Sequence, residues 1–406
     1  MKNLFYLILF ALLTFGTIGC SSSDDEPVID EPTPEEPAKP DPDEELLKYW
    51  ENVANESTIA FVNHFWNKDR KFFNTFVGKA DTSAQDWCYW PQAHAMDVVI
   101  DAYVRSGNKA WKSYFDAWYV GVRQKTNWVS FIQEDKNCNY DNDFVDDMEW
   151  ICLTMIRLYE HTGDKKYIKT AEDLWTVIKR NWNEEYSGGG ISWKQSQPAS
   201  KNSCSNGPAG IIAARLYKLN GKKKSDLDWA KKIFEWQTDK LVDTNGKVYD
   251  HITNHETGER MDWIFTYNQG TYMGMAHELY TITKEQRYLD QANKAATYCI
   301  THLIDKNNNI LKNEGDSGDG GLFKAVFVRY FVKLLLEESL TPADRNKYTI
   351  FFNNNAEVLH TKGTGTDYNY GGHWATPGGK HHDLSVQTSA CTMIEAKAYY
   401  EKNRKK

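Results

Sequence analysis

Two adjacent aspartates, Asp146 and Asp147, are the residues of this 406-residue chain whose types and spacing most clearly point to chemistry. They lie where an acidic, polar loop turns into a long amphipathic segment. Two carboxyls this close cannot both ionise without cost, so we expect the pKa of one to rise while the pKa of the other stays low. Such a split supplies a proton donor and a nucleophile, the pair that glycoside hydrolysis requires. The alternative role for aspartates at the start of a helix is to cap it.

The elements that would position these aspartates follow a repeated pattern of an amphipathic helix, a short polar turn and a second amphipathic helix. The first helices end at similar intervals along the chain, at Tyr103, Tyr159, Tyr217, Tyr280 and Leu335. A regular period of this size predicts stacked two-helix units. With a leading helix near residues 45–66 and a closing one near 385–402, the pattern predicts an all-α fold of 12 helices. We expect an (α/α)6 barrel of six helical hairpins, with an open solenoid as the alternative.

Five long loops favour the closed barrel. Each connects an outer helix to the next inner one, and their ranges are 127–146, 183–206, 242–267, 304–321 and 361–384. In a ring of hairpins all five would lie on the same rim. Loops of this length are commonly functional, and these are rich in Gly, Asp and Trp. We therefore expect a binding cleft at this rim.

The acidic charge of the chain is concentrated in residues 24–45. This stretch holds 11 acidic residues, one lysine and six of the chain's 11 prolines, which predicts an extended, solvated spacer. Because the whole chain carries a net charge of −8, the remainder is close to neutral and has no basic stripe for nucleic acid. We divide the chain into a signal segment at residues 1–19, a lipidated Cys20 with an acidic tether at residues 20–45, and a folded catalytic domain at residues 46–406.

The N-terminus has the features of a targeting segment. Lys2 precedes an apolar run, Leu4 to Phe15, that is too short to span a membrane comfortably. The following Thr17-Ile18-Gly19-Cys20 resembles a bacterial lipoprotein cleavage site, which implies that Cys20 is lipidated. The acidic run after it resembles an export tag that sends some Gram-negative lipoproteins to the cell surface. We expect an outer-membrane lipoprotein at the cell surface, with the periplasmic face and an ordinary secretory signal as alternatives.

We expect no metal ion and no cofactor. The cysteines after Cys20 form no closely spaced pairs of the kind that bind zinc, and their pairing stays open: Cys88, Cys138, Cys152, Cys204, Cys299 and Cys391. The run from Asp135 to Asp146 has the spacing of an EF-hand loop, but Tyr140 stands where that loop needs glycine. His381-His382 is a histidine pair on a loop, which rarely binds metal alone.

The run Asp143-Phe144-Val145-Asp146-Asp147-Met148-Glu149-Trp150 resembles the aspartate-pair motif of glycoside hydrolase family 76, the endo-α-1,6-mannanases. Further segments agree with the family in order and position: Tyr89-Trp90-Pro91-Gln92-Ala93-His94, Gly188-Gly189-Gly190-Ile191-Ser192-Trp193, Ser205-Asn206-Gly207-Pro208, Thr266-Tyr267-Asn268-Gln269-Gly270 and Phe323-Lys324-Ala325-Val326-Phe327-Val328-Arg329-Tyr330. The resemblance spans about residues 50–400. It implies an (α/α)6 barrel, retaining hydrolysis of α-1,6-mannosidic bonds, Asp146 as nucleophile and Asp147 as acid/base.

Polar and aromatic residues near the expected rim are candidates for substrate binding, because amides and imidazoles suit sugar hydroxyls and flat rings stack on sugar faces. The candidates are Trp90, Gln92, His94, Trp193, Asn206, Tyr267, Asn268, Gln269 and Trp374. For each, the alternative is a satisfied core or capping role. Asp319 and Arg329 are further residues that could bind substrate or form a structural ion pair.

The expected substrate is an α-1,6-mannan polysaccharide or its manno-oligosaccharides, cleaved internally by a monomer that contacts the membrane through its lipid anchor only. One alternative is transfer of the glycan to another sugar, since water and sugar attack the same covalent intermediate. A second is a non-catalytic glycan-binding lipoprotein, which would not need both aspartates. A third is a sugar epimerase, which would require paired histidines in the cleft, for example His94 with His251 or His255.

Overall fold

The computed structural model describes residues 41–77, 89–125, 140–379 and 383–404, and every structural statement below concerns these ranges. The signal segment, Cys20 and residues 21–40 lie outside them. Cys88, Cys138, the first part of the EF-hand-like run and His381-His382 also lie outside the described residues.

The described residues form twelve α-helices, as the sequence pattern predicts. In chain order they are α1 Pro42–Phe65, α2 Tyr89–Ser106, α3 Lys112–Gly121, α4 Val145–Thr162, α5 Lys165–Arg180, α6 Gly207–Leu219, α7 Lys224–Leu241, α8 Thr266–Thr283, α9 Gln286–His302, α10 Gly318–Leu335, α11 Pro342–Val358 and α12 Leu384–Asn403.

The burial pattern assigns the helices to two layers. In the odd-numbered α5 the buried residues recur every three or four positions, as in Tyr167, Ala171, Leu174 and Ile178, so this helix has one apolar face and one solvated face. In the even-numbered α12, by contrast, 17 of the 20 residues are buried. A helix buried on nearly all sides must belong to the inner layer.

The even-numbered helices form a closed ring. Each packs against the next, from α2 through α4, α6, α8 and α10 to α12, and α12 packs against α2. Each odd-numbered helix from α3 to α11 packs on the outside of the even-numbered helix before it, while α1 packs on α12 and α2. The fold is therefore the expected (α/α)6 barrel, and the contact between α12 and α2 excludes the open solenoid.

The short turns contain the residues that end and start helices. Gly163 ends α4 with a φ of 71°, a left-handed conformation that glycine adopts without strain, and the Asp164 side chain accepts a hydrogen bond from the backbone of Lys166 to cap α5. At the fifth turn, Thr341 caps α11 and Pro342 is its first residue. These turns confirm the predicted hairpins.

The start of the folded domain differs from the expectation. α1 begins at Pro42, so residues 42–45, which the sequence analysis assigns to the tether, are helical. Proline is favoured at the first helical position, and Asp43, Glu44 and Glu45 face the positive end of the helix dipole. The same composition that suggests a solvated spacer therefore also suits the first turn of a helix.

The long connections contain small antiparallel sheets that the sequence did not reveal. Each sheet pairs two short strands: β1 Trp66–Asn67 with β2 Phe72–Phe73, β3 Ser192–Lys194 with β4 Gln197–Lys201, β5 Ile252–Asn254 with β6 Glu259–Arg260, and β7 Ile304–Asp305 with β8 Ile310–Leu311. Strands of two to five residues are too short to show a clear alternation. None of the described helices is long and apolar enough to cross a membrane.

Candidate active site

A cleft of about 530 Å³ lies at the end of the barrel where the even-numbered helices begin. Its walls come from the first turns of α2, α4, α8 and α10 and from the β3–β4 and β5–β6 hairpins. The N-terminal ends of these helices carry partial positive charge, which favours negative groups nearby. The long connections thus place a cleft on one rim, as the sequence analysis expects.

Asp146 and Asp147 are the second and third residues of α4, and both line this cleft. The Asp146 carboxylate accepts a hydrogen bond from the Trp193 indole N–H at 3.1 Å and from the backbone N–H of Asp147 at 3.0 Å. The Cys204 thiol forms a further hydrogen bond with Asp146. By contrast, no described residue donates a hydrogen bond to the Asp147 carboxyl.

The pKa of both aspartates is raised. Burial raises the pKa of Asp146 to about 6, although its three hydrogen bonds oppose the shift. Burial and the neighbouring charges of Asp146 and Asp319 raise the pKa of Asp147 well above its ordinary value. The expectation that one pKa stays low is therefore wrong, because the cleft desolvates both groups. The two carboxyls still differ, since only Asp146 accepts hydrogen bonds that favour its ionised form.

Glu149 is a third carboxyl of the same helix and is fully buried. Neither of its oxygens has a hydrogen-bond partner among the described residues. Burial, with a further contribution from Asp146, raises its pKa well above its ordinary value. Burial therefore favours the neutral form of Glu149, which adds no negative charge beside the aspartate pair.

Aromatic rings form much of the cleft wall around the aspartates. The Trp90 indole donates a hydrogen bond of 2.9 Å to Asp319. Tyr267 stacks on Phe323 with ring centroids 4.1 Å apart, and Trp193 packs edge-on against Phe144 at 5.1 Å. Flat apolar rings beside hydrogen-bonding groups suit a ligand with both apolar faces and hydroxyls, as a sugar has.

Another part of the cleft wall combines a polar pair with an exposed ring. Asp250 pairs with the His251 ring at 2.8 Å and accepts a hydrogen bond of 2.9 Å from the Asn268 amide. Trp263 is 55% exposed and lies edge-on to His251. More than half of the surface of this indole faces solvent, where a ligand in the cleft can contact it.

Three of the nine residues predicted to bind substrate line the cleft with the aspartate pair: Trp90, Trp193 and Tyr267. The other six do not line it. His94 is buried behind the wall between the Trp90 and Trp150 rings, and burial lowers its pKa to about 3. Trp374 is fully buried beneath the Lys324 ammonium.

The remaining four are amides that hold the structure of the rim. Gln92 exchanges two hydrogen bonds with the backbone of Phe73, and Asn206 does the same with Ile191. Asn268 donates to Asp250, and Gln269 donates to the backbone carbonyl of Val248. For Gln92 and Asn206 the structure shows the satisfied core role that the sequence analysis gave as the alternative. Asn268 and Gln269 are buried and donate, but their side-chain oxygens have no hydrogen-bond partner among the described residues.

Asp319 and Arg329 are also separated by the structure. Asp319 lines the cleft, whereas Arg329 forms ion pairs with Asp97 and Asp101 away from it. The sequence analysis did not single out several cleft residues: Phe144, Trp150, Cys204, Asp250, Trp263 and Phe265. Phe144 and Trp150 flank the aspartate pair in the chain and were within reach of sequence reasoning. Asp250 and Cys204 carry no such local signal.

These features define an (α/α)6-barrel protein with a carboxyl pair in an aromatic cleft at the N-terminal ends of its inner helices. The chain belongs to glycosyl hydrolase family 76, whose family profile matches residues 49–406.

Solved structures and characterised sequences agree with this membership. One similar structure is an α-1,6-mannanase from Salegentibacter sp. HEL1_6, an inactive variant with two consecutive aspartates changed to alanine and with α-1,6-mannotetrose bound. It is 37% identical to this chain, with a TM-score of 0.78, and the match covers 86% of this chain and 99% of that one. A protein from Listeria innocua is 31% identical with a TM-score of 0.77, covering 88% and 99%. A mannan endo-1,6-α-mannosidase of Candida glabrata is 25% identical over 279 residues, 61% of this chain, and the chain spans 60% of that relative's length.

Proposed function

We propose that this protein is an endo-acting glycoside hydrolase that cleaves α-1,6-mannosidic bonds with retention of configuration. The observation that carries the proposal is the consecutive pair Asp146 and Asp147 in an aromatic cleft. The similar α-1,6-mannanase is inactive when two consecutive aspartates are replaced. Its complex with α-1,6-mannotetrose supports the same substrate class for this chain.

In the proposed first step, Asp146 acts as the nucleophile and Asp147 as the acid. A carboxylate oxygen of Asp146 forms a bond to the anomeric carbon while the bond from that carbon to the leaving oxygen breaks. Asp147 gives its proton to the leaving oxygen. The hydrogen bonds from Trp193 and the backbone favour ionised Asp146, and the raised pKa of Asp147 keeps it protonated, which supports this assignment of roles.

In the second step, water attacks the anomeric carbon of the covalent intermediate. The Asp147 carboxylate takes a proton from this water as the ester bond to Asp146 breaks, and the sugar leaves with its original configuration. Burial favours the neutral form of Glu149, and in that form it does not oppose the negative charge that forms on either aspartate.

The extent of the cleft supports internal cleavage. Aromatic rings line it beside the aspartate pair, at Trp90 and Trp193, and also beside His251, at the exposed Trp263. A chain-end enzyme needs one closed subsite, whereas several stacking positions in one cleft suit an internal stretch of polysaccharide.

The test is product analysis by mass and chromatography after incubation with debranched α-1,6-mannan. We expect wild type to release short manno-oligosaccharides and Asp146→Asn and Asp147→Asn to lose turnover by at least about 1,000-fold. Asp143→Asn is the matched control, because Asp143 precedes the pair but binds the Ser196 side chain and backbone outside the cleft. Turnover retained by both single variants would contradict the assignment.

The same product analysis also tests the three other functions, which are glycan transfer, glycan binding without catalysis, and epimerisation. Longer chains formed from manno-oligosaccharides would indicate transfer to a sugar instead of water, and binding of mannan without any product would indicate a glycan-binding protein. An epimerase would need paired histidines, but of His94, His251 and His255 only His251 lines the cleft among the described residues. This arrangement supports hydrolysis over epimerisation.

The cellular location is a separate proposal that rests on the N-terminal sequence. We propose lipidation of Cys20, with the folded domain presented as a monomer at the outer face of the outer membrane. Metabolic labelling with a fatty acid should mark wild type and not Cys20→Ser, and protease added to intact cells should remove the domain. Protection until the outer membrane is broken would place the enzyme on the periplasmic face instead.

A further inference from the structure

A second cavity, of about 250 Å³, lies at the other end of the barrel, where the even-numbered helices end. Its walls come from the later turns of α2, α4, α6, α10 and α12. Asp146 and Asp147 lie at the start of α4, at the other end of the barrel, and the two sites share no lining residue, so the cavity is separate from the active-site cleft. Tyr399, which is 38% exposed, marks its edge toward solvent.

Charged side chains dominate the wall of this cavity. Five are cationic: Arg105, Arg157, Arg215, Arg329 and Lys333. Three are acidic: Asp101, Glu160 and Glu395. Two further carboxylates, Asp97 and Glu278, pair with arginines of the wall.

Two of the arginines are fully engaged in the fold. Arg105 donates two hydrogen bonds to Glu395, at 2.8 and 3.0 Å, and a third to a backbone carbonyl of α1. Arg157 pairs with Asp97 at 2.9 Å and with Asp101 at 2.5 Å. These ion pairs join neighbouring inner helices and leave few donors for a ligand.

The other three cations keep unused donors. Arg215 is only 4% exposed, and among the described residues it donates one hydrogen bond, from Nε to Glu278. Arg329 is 8% exposed, and its Nη2 has no hydrogen-bond partner in the described part of the chain. Lys333 follows Arg329 by one helical turn on α10, and no described acceptor bonds to its ammonium group.

Buried donors without acceptors are costly, and charged ones most of all, which applies here to Nη2 of Arg329. Cations near the carbonyl ends of helices gain some stability from the helix dipoles, but that interaction does not satisfy the individual N–H groups. Two guanidinium groups and an ammonium group around one cavity are the donor set that carboxylate, sulfate and phosphate groups select.

We propose that this cavity binds a small oxyanion, held by Arg215, Arg329 and Lys333. The class is defined by a carboxylate, sulfate or phosphate group, and the cavity has room for part of the molecule that bears it. The site is independent of the mannanase proposal, because it uses none of the cleft residues and lies at the other end of the barrel.

The protonation state of Lys333 should make this binding depend on pH. Burial lowers the pKa of Lys333 to about 7, and Arg215 and Arg157 add to the shift, while Glu278 and Glu160 oppose it. Burial, together with Arg157, lowers the pKa of His161 on the same wall, while Glu160 and Asp101 oppose the shift. Arg329 on α10, Asp101 and Arg105 on α2, and Glu395 on α12 complete the charged surroundings. An oxyanion favours charged Lys333, so binding should strengthen as the pH falls through about 7.

The test is isothermal titration of the full chain with sulfate, whose charge is constant over the range used, at about pH 6 and about pH 8.5. We expect saturable binding that is tighter at the lower pH. Lys333→Met should weaken binding by about tenfold or more, since it removes a charge-assisted hydrogen bond. Lys333→Arg should retain binding and lose the pH dependence, because arginine stays charged.

Lys224→Met is the matched control, because Lys224 is an exposed lysine of the outer helix α7 whose partner is Asp228. It should bind sulfate as wild type does. Parallel titrations with acetate and inorganic phosphate then show which oxyanion the site prefers. Absence of saturable binding to wild type, or equal binding by Lys333→Met, would overturn the proposal. Hydrolysis of mannan should be unchanged in all these variants.

Discussion

At the scale of single residues, the environment of Asp146 combines two opposing influences. Burial in the cleft raises its pKa to about 6, while hydrogen bonds from Cys204, the Asp147 backbone and Trp193 lower it. The proposed nucleophile is therefore ionised at neutral pH with only a modest margin. Asp147 stays protonated to higher pH, because burial and the charges of Asp146 and Asp319 raise its pKa. No described residue donates a hydrogen bond to its carboxyl that would oppose this shift.

This balance predicts the pH dependence of hydrolysis. The rate should rise as the pH increases through about 6, when Asp146 ionises, and fall at higher pH, when Asp147 loses its proton. Trp193→Phe removes a hydrogen bond that favours the ionised form, so the acidic limb of the kcat/KM profile should move to higher pH. Trp229→Phe, on the outer helix α7, is the control and should leave the profile unchanged. An unmoved acidic limb in Trp193→Phe would argue against Asp146 as the group that titrates there.

The same pKa shift predicts a stability cost at the proposed nucleophile. The folded pKa of about 6 exceeds the ordinary value of 3.8, so ionised Asp146 destabilises the fold above pH 6, and this cost fades as the pH falls toward 3.8. Asp146→Asn should therefore stabilise the protein by about 1–3 kcal/mol at neutral pH and by less near pH 5. Urea unfolding at both pH values measures this. The control, Asp143→Asn, should show no such gain, and a destabilised Asp146→Asn would contradict the electrostatic argument.

At the scale of elements, amide side chains near the starts of inner helices fix the rim loops. Each of three amides donates one hydrogen bond to, and accepts one from, the backbone of a single residue. The pairs are Gln92 with Phe73, Asn206 with Ile191, and Gln387 with Tyr370. An amide offers both groups, so it can replace the strand partner that a short loop lacks. The sequence shows these amides near the rim but does not show that their hydrogen bonds are already used.

This role of the amides gives a prediction about stability. Asn206→Ala leaves the buried N–H of Ile191 without its acceptor and removes one of the two hydrogen bonds to the Ile191 carbonyl, which the Ser205 hydroxyl also donates to. This should cost about 1–3 kcal/mol of folding free energy in urea unfolding. Gln286→Ala is the control, because its exposed amide donates only to Asp290 on the same helix, and it should change stability little. If Asn206→Ala instead kept full stability and raised KM for mannan alone, a direct contact with sugar would be the better account.

At the scale of the whole molecule, the barrel closes where its first and last helices meet. Glu395 of α12 accepts two hydrogen bonds from Arg105 of α2 and one of 2.6 Å from Thr58 of α1. Both charged side chains are almost fully buried. This ion pair therefore joins helices that are separated by nearly the whole length of the domain.

Loss of one partner should destabilise the closed barrel strongly. Glu395→Ala leaves the Arg105 charge buried without its carboxylate, and we expect a loss of about 3–5 kcal/mol in urea unfolding. Glu235→Ala breaks an exposed ion pair with Arg287 on outer helices and should cost less than about 1 kcal/mol. Similar small losses in both variants would indicate that the buried pair does not hold the ring together.

The sequence by itself determined the parts of this protein that depend on local patterns. Periodic apolar residues, helix caps and turn glycines predict twelve helices in hairpins, and the aspartate pair marks the start of α4. These signals are readable because each arises within a few neighbouring residues.

Only the tertiary structure decided which residues share a site. It closed the ring through α12 and α2, brought Asp250 and Trp263 to the cleft of Asp146, and assigned Gln92, His94 and Asn206 to structural positions behind the rim. The contacts that close the ring and form the cleft join residues far apart in the chain and depend on how the helices pack around the ring, which no local pattern encodes. The raised pKa of both aspartates has the same origin, because desolvation is a property of the assembled cleft.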